Sequence, residues 1–288
     1  MAQDSYLDSR PGGLFRLLPS QRIAAITGND AWRFLQGQVT QDVLGMAPGE
    51  GRATAFCDPT GHVLGEGYVL SDGDSALVCA SDLAIFERLD GLLFMDDAAI
   101  NILNLTCTAI VRDADPEGRW TRNKDEIVVS YDRTGFGGVD VWSHGVQSNG
   151  GLDESGWRAL RYERGMPEYG IDVTAKTIAN EAGERYMNRR ASLTKGCYVG
   201  QEVLMRIYSR GRTQRELAHI AIEGRELPPD GAPIASRDRD DAGWITGCAL
   251  TPLGARGMGY VRRDYWDGAE LTAIWGNSSC KVSIISSG

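Results

Sequence analysis

Apolar and polar positions alternate along most of this chain, with few of the long helical stripes of a bundle. The stretch "GNDAWRFLQGQVTQDV" is an exception: after a capping Asn29 or Asp30, Trp32, Leu35 and Val39 fall at roughly helical spacing. "ATAFCDPTGHVLGEGYVLSDGDSALVCA" then reads as strands broken by a Pro-Thr-Gly turn and an Asp-Gly-Asp turn, a hairpin series. "LAIFERLDGLLFMDDAAINILNL" predicts an amphipathic helix running into a strand. "AIVRD" and "EIVVSYDR" predict further strands, separated by the charged loop "ADPEGRWTRNKD". "GVQSNGGLDES" has the composition of a linker, and "SGWRALRYERGMP" after it predicts a short helix that starts near Asp153 or Ser155 and is stopped by Gly165 and Pro167. From Arg215 onward the pattern is strand after strand: "ELAHIAIEG", "GWITGCALT", "ARGMGYVRR", "AELTAIWG", "KVSII". Short strands with glycine turns predict a small closed antiparallel β-barrel of about six strands, which places a boundary near residue 213. The domains expected are therefore 1–213, in two lobes, and 214–288, the barrel, in an α+β protein.

Composition adds exclusions. A chain of 288 residues with 42% hydrophobic and 24% charged residues can bury a substantial core. Its net charge of −9 argues against broad, sequence-independent nucleic-acid binding, which needs excess Lys and Arg along the phosphates. No run is long enough to span a bilayer, and "MAQDSYLDSRPGG" fits neither a secretory signal nor a transit peptide, so the expected location is the cytoplasm. The six cysteines (Cys57, Cys79, Cys107, Cys197, Cys248, Cys280) have no short spacing of the kind that holds a metal. Any thiol function rests on one residue, and the others are expected to be buried small hydrophobes.

That residue is Cys197, in "LTKGCYVGQEVLMRIYSRG". Gly196 and Gly200 permit tight backbone geometry, and "GQEVLMRI" can start a helix with Val203, Leu204 and Ile207 on one side. A helix start and the cation of Lys195 both favour a thiolate, while Glu202 opposes it; a buried structural cysteine in a tight turn is the competing reading. Arg206, Arg210, Arg212 and Arg215 make a basic island in an acidic chain, either an anion site or a solvated face. Glu163 in "ALRYERG" offers a carboxylate suited to the adjacent N–H donors of a flat heterocycle, although a surface glutamate reads the same way. Glu66 in "GHVLGEGYVL" either faces a cavity or lies on an edge strand.

The block "KGCYVGQE" (Lys195, Gly196, Cys197, Tyr198, Gly200, Gln201 and Glu202 among its residues) resembles the signature of the YgfZ family, folate-binding proteins that support iron–sulfur enzymes. That family is related to the T-protein, the aminomethyltransferase of the glycine cleavage system. "FLQGQVTQDV", "RYERGMPEYGIDV", "RELAHIAIEG" and "GMGYVRRD" resemble its other blocks in the same order, over roughly residues 20–285. The resemblance implies a three-lobed T-protein-like fold, with folate in a central opening and the C-terminal barrel closing one side. It places Glu163 on the pterin-contacting glutamate of Leu-Arg-Leu-Glu-Ala-Gly, Tyr169 on the tyrosine of Tyr-Gly-Asn-Asp, and Arg206 and Arg215 among the arginines that meet folate. Where T-proteins carry Gly-Gly-Ile-Leu-Asp-Asp, this chain has Gly61-His62-Val63-Leu64-Gly65-Glu66, so a glutamate replaces the catalytic aspartate and a glycine replaces its neighbour. The resemblance thus implies a protein that binds tetrahydrofolate or a one-carbon derivative and assists iron–sulfur cluster assembly or repair, with assembly proteins or client enzymes as partners and Cys197 as the functional thiol. The alternatives are a folate-dependent aminomethyl- or methyltransferase using Glu66, and a folate sensor without chemistry.

Overall fold

A computed structural model describes residues 14–145, 151–211 and 213–287, which form two compact units. Residues 146–150 of the linker "GVQSNGGLDES", the N-terminal "MAQDSYLDSRPGG" and Arg212 lie outside the described residues.

The first unit takes the chain up to Phe56, Leu64–Glu154 and Arg190–Val199. It holds two five-stranded sheets. One is ordered β3-β4-β5-β2-β6, from β2 (Arg22–Thr27), β3 (Gly51–Cys57), β4 (Val63–Asp72), β5 (Ser75–Ala80) and β6 (Ala99–Leu103). The other is β1-β7-β10-β9-β8, from β1 (Leu14–Leu18), β7 (Thr106–Val111), β8 (Trp120–Arg122), β9 (Glu126–Ser130) and β10 (Val139–Ser143). Two helices cover the first sheet: α1 (Ala31–Gln38) buries Ala31, Phe34 and Leu35, and α2 (Leu83–Asp90) buries Ile85, Phe86 and Leu89. These side chains pack with Ile26, Phe56, Val69 and Val78 from the strands, an apolar layer that drives the helices onto the sheet.

The predicted helix at "GNDAWRFLQGQVTQDV" is α1, with Val39 just past its end as the C-cap residue. The helix at "LAIFERLDGLLFMDD" is only eight residues long. Gly91 caps it, and Phe94 and Met95, 92% and 88% exposed, lie in the loop beyond. The charged loop "ADPEGRWTRNKD" contains a strand, β8, whose Trp120 pairs with Val129 of β9. A polar cluster ties the two sheets together. Trp142 Nε1 donates to the Tyr68 hydroxyl at 2.7 Å, which donates to Asp140 at 3.0 Å; Arg133 holds Asp140 with two bonds of 2.9 and 2.8 Å. Every member of this chain is satisfied, as a buried polar cluster must be to be tolerated.

The second unit takes Cys57–Val63, Ser155–Arg189 and the chain from Gly200 onward. Its centre is a closed barrel, β11-β14-β13-β12-β15-β16, made of β11 (Arg215–Ile222), β12 (Pro233–Ser236), β13 (Arg239–Thr251), β14 (Gly254–Arg262), β15 (Leu271–Trp275) and β16 (Ser278–Ser287). Ile220, Ile234, Ile245, Val261, Leu271 and Val282 fill it. Closure removes the sheet edges that a six-stranded open sheet would expose. The helices of this unit are α3 (Glu154–Arg164), α4 (Glu184–Arg190) and α5 (Gln201–Arg210). Gly165 stops α3 with φ +63°, and a Cβ there would sit 2.7 Å from Cγ of His219 on β11, so both backbone conformation and space demand glycine. Among the described residues no helix is long and apolar enough to cross a membrane.

Candidate functional site

The cysteine-bearing segment belongs to the first unit. Cys197 is exposed, whereas Cys57, Cys79, Cys107 and Cys248 are buried and Cys280 is half-buried. Burial pushes the Cys79 and Cys107 thiols well up, pushes Cys248 up to about 12, and raises Cys280. Lys195 is buried, and its Nζ donates to the backbone carbonyls of Gln36 (2.7 Å), Val39 (2.8 Å) and Gln41 (2.8 Å). The cation expected to favour the Cys197 thiolate is therefore directed at backbone carbonyls. Burial lowers its pKa to about 8, against the pull of Asp42. Tyr198 is buried, with its ring centre 5.0 Å from Lys195 Nζ, and Gly196 is exposed with open space where a Cβ would be.

Gly200 and the start of α5 belong to the second unit. Gly200 is the N-cap residue at φ +88°, and a Cβ on it would lie 2.7 Å from the carbonyl oxygen of Asp58. No other residue fits that close approach. Gln201 opens the helix and Glu202 sits in its first turn, where the helix dipole favours a negative charge.

Glu66 is neither on an edge strand nor open to solvent. Its strand β4 lies between β3 and β5, and the residue is 8% exposed. Its Oε2 is 3.0 Å from Nε of Arg190, whose Nη2 reaches the Tyr131 hydroxyl at 3.3 Å. At Gly65, a Cβ would lie 2.7 Å from Ser81 Oγ and 2.8 Å from Ile85 Cδ1. The room that an acidic side chain would need there is occupied.

In the second unit, Glu163 is half-buried on α3, with no hydrogen bond or ion pair to its carboxylate among the described residues. Tyr169, also half-buried, forms an isolated bridge with Val173. Beside them lies a charge cluster that sequence spacing does not disclose. Arg161, 1% exposed, is 2.8 Å from both Glu168 Oε2 and Asp172 Oδ2. Asp172 also accepts from Tyr162 (3.1 Å), Thr246 (2.6 Å) and the Glu168 N–H (3.0 Å). All three charged residues fall in "RYERGMPEYGIDV", but their pairing depends on how residues 165–171 turn back, which residue types alone do not specify.

Arg215 lines a cavity of about 450 Å³ with Glu181, Gln214, Asp241, Gly243, Trp244, Tyr260 and Arg262. Glu181 orients its guanidinium through bonds of 3.0 and 3.4 Å, and the group lies 4.9 Å from the ring centre of Trp244, which stacks on Tyr260 at 4.9 Å. Trp244 and Tyr260 are cavity-lining residues that the strand pattern hides, because on β13 and β14 they read as ordinary alternating positions. Glu163, Tyr169 and Arg206 are not among the walls of this cavity. Arg206 and Arg210 lie exposed on α5. The volume suits an organic ligand, and the lining offers a flat aromatic surface, an oriented cation and two carboxylates. Among the described residues, no group of three or more His, Cys, Asp and Glu side chains is arranged to hold a metal ion.

No protein-family model matches the chain. An uncharacterized protein of Haemophilus influenzae is 24% identical over 237 residues, covering 76% of this chain and 78% of its own. The tRNA-modifying protein YgfZ of an Enterobacter species is 24% identical over 74% of this chain and 73% of its own length, and that of Pectobacterium carotovorum 25% over 73% and 70%. Among solved structures, the glycine cleavage system aminomethyltransferase T of Bartonella henselae superposes with a TM-score of 0.84, over 98% of this chain and 88% of that one, at 16% identity. The chain thus has the fold of aminomethyltransferase T and is distantly similar in sequence to the YgfZ proteins.

Proposed function

We propose that this protein binds tetrahydrofolate or a one-carbon derivative and assists the assembly or repair of iron–sulfur clusters through Cys197. The observation that carries the reading is the contrast among the six cysteines: only Cys197 is exposed, and it lies in the block that resembles the YgfZ signature. One thiol cannot hold a cluster alone, so its role is transient: a passing ligand to iron, or a thiolate that attacks a client protein's disulfide, forming a mixed disulfide as the client's other sulfur leaves as a thiolate. The cluster is cargo rather than a resident group.

Two features fit a folate. Glu163 is a half-buried carboxylate with no hydrogen-bond or ion-pair partner among the described residues, as a group reserved for adjacent ligand N–H donors would be. The Arg215 cavity combines a stacking surface with a cation that Glu181 holds in place, a match for the aromatic and carboxylate portions of the molecule. When bound, the folate would supply one-carbon chemistry or a regulatory signal; the chain's own residues bind it and present a thiol.

The transferase alternative draws on the shared fold alone. Against it, Glu66 is buried in an ion pair with Arg190, and the neighbouring position has no room for a second acid. The relatives' name refers to tRNA modification. In this chain, with net charge −9, such an effect fits an indirect route, through iron–sulfur enzymes that act on tRNA.

The test is tetrahydrofolate titration of the purified protein together with complementation of a deletion strain, read out as iron–sulfur enzyme activity. Glu163→Ala should weaken folate binding roughly ten- to a hundredfold, the loss of a charge-assisted pair at about 1.5–3 kcal/mol. Cys197→Ser should bind folate normally and fail to complement. Full complementation by Cys197→Ser would overturn the proposal.

A further inference from the structure

We propose that Lys195 is the positioning residue for Cys197, mooring the turn that carries the thiol onto the C-terminal end of α1. This rests on the reading of Cys197 as the functional thiol. An α-helix leaves its last carbonyls without intrahelical donors, and they need donors from elsewhere. In α1 these come from the cysteine segment. The Lys195 ammonium serves Gln36 at 2.7 Å and, just past the helix, Val39 and Gln41 at 2.8 Å each, while the Val199 N–H serves Gly37 at 3.1 Å. Three ammonium hydrogens meet three carbonyls, and the cation sits at the end of the helix where the dipole favours it.

The same two stretches are joined again upstream. The Ser192 N–H donates to Thr40 O at 3.0 Å, and Thr40 Oγ1 donates to Arg190 O at 2.6 Å. Between the moorings at Lys195 and Val199 lie only Gly196, Cys197 and Tyr198. Tyr198 is turned inward against Lys195, which leaves Gly196 and Cys197 outermost on a turn pinned at both ends. Lysine and cysteine thus share one short motif for a geometric reason. Lys195 fixes where the thiol is; it does not serve as the cation that activates it.

Electrostatic activation and mooring predict different results, so one variant separates them. Cys197 alkylation by iodoacetamide is followed by site-resolved mass spectrometry across pH in wild type and Lys195→Met, alongside amide hydrogen exchange and complementation. Mooring predicts an unmoved pH midpoint for Cys197, amide exchange across residues 192–199 faster by about tenfold or more, unchanged protection in the barrel, and reduced complementation. A midpoint shifted upward with exchange unchanged would overturn the proposal in favour of activation. No change in midpoint or exchange would also overturn it. So would loss of protection throughout the chain in both Lys195→Met and the milder Lys195→Gln, since Lys195 would then belong to the general core. Complementation by Cys197→Ser would remove the functional-thiol reading while leaving the exchange result to stand on its own.

Discussion

Glu66 and Arg190 form a buried ion pair, Oε2 to Nε at 3.0 Å, with side chains only 10% and 5% exposed. Taking one charge from such a pair leaves the other buried without compensation, which costs about 3–5 kcal/mol, whereas replacing both with apolar groups is often close to neutral. Glu66→Gln should therefore lower unfolding stability by about 3 kcal/mol, and Glu66→Leu combined with Arg190→Met should recover most of the loss. Urea denaturation of the three proteins measures this. Wild-type stability in Glu66→Gln would mean that the pair is hydrated and that Glu66 is free for another role.

The thiols should label in order of burial. Cys197 is exposed, Cys280 half-buried, and the other four are buried, with Cys79, Cys107 and Cys248 also held protonated by burial. A brief pulse of iodoacetamide on native protein should modify Cys197 first, Cys280 more slowly, and the rest only after unfolding. Labelling of Cys79 or Cys107 as fast as Cys197 would contradict the fold of the first unit.

What the residues disclosed and what they hid follow from the range of the forces involved. The barrel was legible because alternation and glycine turns are local signals, and five of its six strands show them. The sixth, β12, is four residues long and begins with Pro233, which lacks a backbone donor and carries no alternation. β8 was hidden for a similar reason, being three residues inside a run of charges. Gly200 could be marked as a tight position, but not that Asp58 O is what crowds it, because that contact crosses more than a hundred residues of chain. The pairing of Lys195 with α1 is equally non-local: a lysine two residues before a cysteine suggests electrostatics, and only the folded chain brings three carbonyls to it. Glu66 escaped for want of Arg190, a residue with no feature of its own in the sequence.

Folate affinity should rise with the length of the ligand's polyglutamate tail and fall with added salt. Arg206 and Arg210 are exposed on α5, and screening over roughly 8–10 Å at physiological ionic strength makes such contacts salt-sensitive. Each exposed contact is weak, about 0.2–1 kcal/mol, so Arg206→Ala or Arg210→Ala alone should have a small effect and the pair together a visible one. Calorimetric titration with mono- and pentaglutamylated tetrahydrofolate at two salt concentrations reads it out. Equal affinities at low salt would assign these arginines to the solvated surface.

The last expectation concerns pH. His219, 6% exposed on β11, has Nε2 at 2.7 Å from the Tyr162 carbonyl oxygen, so the Nε2–H donates and the ring is held in that tautomer. Burial lowers its pKa; the Tyr162 carbonyl opposes the shift, and Arg256 and Arg185 reinforce it. In the unfolded chain the imidazole takes up a proton near its ordinary value of about 6.5. Between that value and the lower folded one, the unfolded state binds more protons, so stability increases with pH across the window. The contribution is complete above about pH 6.5 and is lost as pH falls through the folded value, at no more than about 1.4 kcal/mol per unit. The chain's other two histidines are common to wild type and variant, so the difference between the two proteins isolates His219. Thermal melts from pH 7.5 down to 5 should show a steeper decline for wild type than for His219→Gln, whose amide can still donate to Tyr162. Parallel curves would show that the ring accepts its proton without leaving the core, and that the Tyr162 bond does not fix its charge state.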